Sequence, residues 1–186
     1  MRLLLASKSP RRRQLLAELG YPIEIVSIDV DEHIGTPLPA DAVAEHLARR
    51  KAAAYPVSRL KDDQVLVTAD TVVVLDGEVL GKPATREEAE DMLHRLSGRS
   101  HEVYTGVCLR TPQRTLSFTE ETTVHFAPLT DSEITHYVDH YRPYDKAGAY
   151  GIQEWIGMVG VSRIEGCYYN VMGLPVARLY AALKTL

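Results

Sequence analysis

The stretch Ser7-Lys8-Ser9-Pro10-Arg11-Arg12-Arg13 gathers two hydroxyls and four cations into seven residues. Ser9 is a natural N-cap and Pro10 fits a first helical position, so the arginines fall in the first turn of a helix. The macrodipole is already positive there, and each exposed cation so placed forgoes or loses roughly 0.3–1 kcal/mol. Free helix N–H groups, hydroxyls and guanidiniums aimed at one spot describe an anion site, and phosphate is the first candidate.

Asp70 is the second unusual placement. Aspartate is depleted from strands, yet it interrupts the run Val65-Leu66-Val67-Thr68-Ala69-Asp70-Thr71-Val72-Val73-Val74-Leu75. Burying its charge is costly unless a cation or metal accompanies it. The bland alternative is a strand-end aspartate satisfied by backbone donors. Asp76-Gly77 is a strong two-residue hairpin signal. With that turn, opposed residue numbers sum to 153, which sets Lys82 against Thr71, next to Asp70, if the pairing runs that far. Gly77 to Pro83 imitates a phosphate-binding P-loop, but the spacing is one residue short and Pro83 replaces the Ser/Thr.

Lys51 lies on an apolar stripe with Ala44, Leu47 and Ala48, at helical spacing. Snorkelling to the surface is the ordinary account of such a lysine; beside Lys82 and the arginines it becomes a further phosphate contact. Asp31-Glu32 offers oxygen ligands of the kind Mg²⁺ takes, alongside waters and substrate phosphates. In Asp145-Lys146-Ala147-Gly148-Ala149-Tyr150-Gly151-Ile152-Gln153, small residues allow close backbone approach, and Gln153 carries both donor and acceptor for a base edge. His136 and His140 stand at i, i+4, but neither a following glutamate nor a nearby third ligand completes a zinc pattern. Cys108 and Cys167 lack a local base or cation that would mark a nucleophile.

The elements that must position these residues alternate between strand and helix. Leu3 to Ala6 reads as a buried strand, the residues from Pro10 to Leu19 as a helix, and Ile23 to Val26 as a second strand. A helix is expected over about 41–55, a central strand over 65–75, a short return strand over 78–80 and a helix over 86–96. Two longer strands follow at about 101–110 and 116–126. Helices at about 131–140 and 176–184 flank a Gly-rich region from Gly148 to Gly173. This is the pattern of a mixed α/β domain around an elongated sheet.

At 186 residues the chain suits a single domain over 1–186, with room for two lobes. A net charge of −4, with Arg2, Lys8, Arg11, Arg12 and Arg13 collected near the start, suits a small anionic ligand better than a nucleic-acid polymer. Two widely spaced cysteines fit a reducing cytoplasm. No stretch approaches the ~20 apolar residues of a membrane span.

Taken together and in order, these motifs resemble the Maf family of nucleoside triphosphate pyrophosphatases over essentially the whole chain. The resemblance rests on Ser7 to Arg12, Val30-Asp31-Glu32, Lys51, Ala69 to Val73, Gly81-Lys82-Pro83, Leu96 to His101, Asp145 to Gln153 and Asn170 to Pro175. It implies a fold like that of inosine triphosphate pyrophosphatases: an elongated mixed sheet with flanking helices and two lobes around a cleft. It also implies metal-dependent cleavage between α- and β-phosphates, releasing a nucleoside monophosphate and pyrophosphate. Arg11, Thr71 and Gln153 match the positions of the branch that prefers dTTP and UTP. Homodimers and a link to arrest of septum formation are further family implications, and a non-catalytic nucleotide-binding regulator of division is the competing class.

On this resemblance Arg11, Arg12, Lys51 and Lys82 neutralise phosphate charge and Ser7 and Ser9 donate hydrogen bonds to it. Mg²⁺ or Mn²⁺ bridges phosphate oxygens to Glu32 and Asp70, and Asp70 also serves as general base. Arg13 and the bulky pair Glu154-Trp155 depart from the expected pattern.

Overall fold

The apolar run at the start of the chain forms β1 (Arg2–Leu5), with Leu3, Leu4 and Leu5 all buried. The computed structural model describes residues 1–35 and 37–186. A seven-stranded mixed sheet carries the fold, flanked by helices. Its strand order is β2-β1-β3-β5-β6-β7, with β4 paired to β3. These strands are β2 (Ile23–Ile25), β3 (Gln64–Leu75), β4 (Glu78–Leu80), β5 (Ser100–Arg110), β6 (Thr115–Phe126) and β7 (Val161–Glu165). The chain divides into two compact units. The first comprises Met1–Thr71, Thr105–Glu120 and Gly173–Leu186; the second comprises Val72–Tyr104 and Glu121–Met172.

In the first unit β1 runs parallel to both neighbours, pairing Leu3 with Ile23 and with Val65, and Leu5 with Ile25 and with Val67. Parallel strands need crossovers, and two helices supply them: α1 (Pro10–Ala17) and α2 (Ala40–Ala54). The α2 helix buries Val43, Ala44, Leu47, Ala48 and Ala52. Its small residues bring its backbone down onto β5, where a Cβ at Gly106 would overlap the Ala44–Glu45 peptide. Thr68 of β3 donates from its hydroxyl to the Ala48 carbonyl at 2.6 Å. Arg110 donates to the Ala52 and Tyr55 carbonyls at the helix C-terminus, at 2.8 and 3.2 Å. The final helix of the chain is α7 (Val176–Leu183), preceded by α3 to α6 of the second unit.

The second unit begins with the hairpin. Asp76 and Gly77 both take positive φ, 53° and 81°, as a type I′ turn demands. Leu75 pairs with Glu78, Val74 with Val79 and Val73 with Leu80. The register is the expected one, but β4 ends at Leu80, so strand pairing does not carry Lys82 opposite Thr71. The helices α3 (Arg86–Leu96) and α4 (Asp131–Tyr141) pack together. Arg86 reaches Asp139 at 2.8 Å, and Thr135 donates to Glu90 at 3.1 Å. Thr130 and Glu133 form a reciprocal capping box at the start of α4.

The Gly-rich region from Gly148 to Gly173 contains more structure than its composition suggests. It holds a short 3₁₀ turn (Ala147–Ala149), α5 (Trp155–Gly160), β7 and α6 (Tyr168–Met172). β7 pairs antiparallel with β6 through Thr123–Glu165, Val124–Ile164 and His125–Arg163, with an irregularity at His125/Phe126.

Candidate active site

The first unit concentrates five of the expected site residues at the middle of β3 and its neighbours. Asp70 sits where the strand's burial lapses: its side chain retains 14% exposure, while Val67, Thr68 and Ala69 before it are buried. Lys51 meets it from α2. The Lys51 ammonium donates to Asp70 Oδ1 at 2.6 Å and lies 2.8 Å from Glu32 Oε1. Lys51 does not snorkel; its side chain is only 12% exposed and ends between two carboxylates. Gly106, Thr68 and Arg110 fix the height and end of α2, and so place this ammonium.

Arg12 approaches the same strand from α1. Its Nε donates to the Gly173 carbonyl at 2.7 Å, Nη1 to the Ala69 carbonyl at 2.9 Å and Nη2 to Thr71 Oγ1 at 2.9 Å. Burial pulls the guanidinium below its ordinary pKa; Asp70 opposes that, Arg11 adds to it and Glu32 opposes it. Three of a guanidinium's five N–H donors are thus taken by protein acceptors. Thr71 Oγ1 also shares a hydrogen bond with Thr105 Oγ1 at 2.8 Å. Thr105 gave no sequence signal and Gly173 entered only within the motif from Asn170 to Pro175; β5 and the long return to α7 bring them in.

Ser9 caps α1 as expected: its Oγ accepts from the Arg12 amide at 3.4 Å, and Ser7 Oγ accepts from the Ser9 amide at 3.2 Å. Each hydroxyl uses a lone pair on the backbone and keeps its own hydrogen to donate. Arg11 is half-buried and Arg13 is exposed. The oxygens of Glu32 and Asp70 converge on one cation, the Lys51 ammonium. Hard oxygens with half of Glu32 open to solvent fit Mg²⁺, which uses one or two carboxylates plus substrate phosphates rather than an all-protein cage. Among the described residues no group of three His, Cys, Asp or Glu side chains could hold a metal alone. Asp31 is otherwise engaged, its Oδ1 accepting from the His33 amide at 2.8 Å.

In the second unit Lys82 is exposed in the loop after β4. That loop is tied to the segment carrying Gln153, because the Gly148 amide donates to the Gly81 carbonyl at 3.1 Å. Gly148 has φ 68°, and a Cβ there would crowd Val73 at 3.0 Å. Gln153 Oε1 is buried without a hydrogen-bond partner among the described residues. Around it stands a network the sequence did not advertise. Lys146, 8% exposed, lies 2.8 Å from Asp145 Oδ1 and 3.2 Å from Glu154 Oε1. The Tyr137 hydroxyl donates a short hydrogen bond to Glu154 Oε2 and accepts from the Gly151 amide at 3.0 Å. Glu154, one of the departures from the expected pattern, is therefore an anchored residue. His140 Nδ1 bonds the His136 carbonyl at 2.7 Å, and the two rings lie 4.2 Å apart.

The fold is that of a solved Staphylococcus aureus Ham1 protein, with a TM-score of 0.56 at 18% identity, covering 100% of this chain and 99% of that one. A family model described as Maf-like protein matches residues 2–186, and the chain belongs to the Maf family. A dTTP/UTP pyrophosphatase of Bacteroides thetaiotaomicron is 50% identical over 185 residues, covering 99% of this chain and 95% of the relative. Another protein of that name, from Chlorobaculum tepidum, is 46% identical over 187 residues, covering 100% and 95%. Among the described residues no helix is long and apolar enough to cross a membrane.

Proposed function

We propose that this protein is a nucleoside triphosphate pyrophosphatase acting on dTTP and UTP, hydrolysing the α–β phosphoanhydride to give the monophosphate and pyrophosphate. The observation that carries the reading is the Lys51 ammonium held between Asp70 and Glu32. Asp70 Oδ1 accepts from Lys51, so its second oxygen is the one that receives a proton from the attacking water. Water attack on a polyanion is slowed by repulsion, and Arg11, Arg12, Lys51 and Lys82 offset that charge. Ser7 and Ser9 donate hydrogen bonds to phosphate oxygens. Gln153 reads the base edge, with Arg11 and Thr71 sharing in substrate selection. Glu32 and Asp70 would hold the divalent cation, Mg²⁺ or Mn²⁺, which withdraws charge from the phosphates when bound.

The enzyme works in the cytoplasm, as its two free cysteines support, and it forms a homodimer whose mass light scattering would measure. Incubation with Mg²⁺ and a nucleotide panel tests the activity. Monophosphate plus pyrophosphate from dTTP and UTP is expected. Orthophosphate alone would make it a phosphatase, and binding without turnover would make it a division regulator. Asp70→Asn is expected to lower kcat by roughly 10²–10⁴ with the fold intact; near-normal turnover would sink the general-base role.

A further inference from the structure

We propose that Tyr137 and Glu154, joined by Lys146, are positioning residues that fix the Gln153 amide and so determine which base the enzyme accepts. The inference rests on Gln153 reading the base. Four observations carry it. Glu154 follows Gln153 directly in the chain, so anchoring its side chain restrains the peptide the two residues share. Both carboxylate oxygens of Glu154 are claimed, Oε2 by the Tyr137 hydroxyl and Oε1 by the buried Lys146 ammonium. The Tyr137 hydroxyl also accepts from the Gly151 amide, which clamps the turn on the other side of Gln153. At the centre stands Gly151, where a Cβ would come within 3.0 Å of Gln153 Nε2, Glu154 Cδ and Lys146 Cε alike.

A buried ion pair plus a phenol is a costly way to hold a loop, since desolvating the charges offsets much of their attraction. What such a network supplies well is a single geometry. Burial and the Glu154 carboxylate hold the Tyr137 phenol well above its ordinary pKa, so it remains a donor across the working range. The Gln153 amide keeps a buried Oε1 that no donor among the described residues satisfies, in a backbone setting held from both sides. Discrimination between bases that differ by one hydrogen-bonding group depends on such fixity, because the wrong base must leave a polar group unpaired.

The test compares Tyr137→Phe, Glu154→Gln and Gln153→Ala, singly and as the Tyr137→Phe/Gln153→Ala pair. For each, kcat and KM are measured for dTTP, UTP and CTP, with thermal midpoints recorded in parallel. Tyr137→Phe keeps the ring, and Glu154→Gln keeps the size and an acceptor for the phenol. Loss of a hydrogen bond to a charged group is expected to cost roughly tenfold in dTTP-over-CTP selectivity, appearing mainly in KM. Glu154→Gln should retain part of that selectivity. In the Gln153→Ala background Tyr137→Phe should add little. If Gln153→Ala shifts selectivity but Tyr137→Phe and Glu154→Gln do not, positioning is overturned and base reading stands. Full persistence of the Tyr137→Phe effect without Gln153 would overturn it too. If Gln153→Ala itself changes nothing, base reading fails and the inference with it.

Discussion

Lys51 bonds Asp70 and lies beside Glu32 at once, so removing it takes from the largely buried Asp70 its 2.6 Å donor. Such a change lies between the small worth of a surface pair and the several kcal/mol of a buried one. Lys51→Met should therefore cost about 2 kcal/mol in denaturant unfolding and reduce turnover of dTTP. Unchanged turnover would remove Lys51 from the phosphate-neutralising set. The oddity of Lys51 and Asp70 was legible because each broke an apolar pattern, and two buried opposite charges commonly find each other. Arg12 was less legible. Its type and helix position match those of Arg11, but its acceptors at Ala69, Thr71 and Gly173 lie 57 to 161 residues away. No local signal tells which guanidinium of a triplet turns inward.

Among the elements, α2 is the one that sets the site, and Gly106 is the position that lets it. With helix backbone directly over the missing side chain, a methyl at 106 cannot be absorbed by rotating a neighbour; the helix itself must lift. Gly106→Ala should destabilise by about 2–3 kcal/mol. It should also lower kcat/KM further than a stability loss explains, because Lys51 rides on the same helix. A variant with normal urea midpoint and normal kinetics would contradict this. Capping is the milder case: Ser9→Ala should cost about 1 kcal/mol by removing the acceptor for the Arg12 amide. Long periodic elements such as α2, β3 and the Asp76-Gly77 hairpin could be read directly from the chain, to within a residue at their ends. α5, β7 and α6 could not, since each is six residues or fewer and lies in the Gly-rich stretch, without the apolar runs that mark β1 and β2 or the turn that marks β4. β7 shows weak alternation because it depends on β6 for its pairing rather than on its own pattern.

For the molecule as a whole, the same fold at 18% identity in the Ham1 protein shows that the architecture survives wide change in sequence. Acid stability is a whole-molecule property with an identifiable local source. His101 is fully buried against Phe126 and Tyr150, its Nε2 sharing a 2.7 Å hydrogen bond with the Tyr150 hydroxyl. Burial, with a smaller contribution from nearby His125, lowers its pKa from 6.5 to about 4. Between those values the unfolded chain binds a proton that the folded one refuses. Stability is then complete above pH 6.5 and falls as the pH drops toward 4, by up to about 3 kcal/mol from this group alone. Carboxylates also respond in acid, so the informative quantity is a difference. Urea midpoints measured from pH 7.5 to 4.5 should fall more steeply for the parent than for His101→Phe, even if that variant is less stable throughout. Parallel curves would mean that His101 is not the group whose protonation opens the fold.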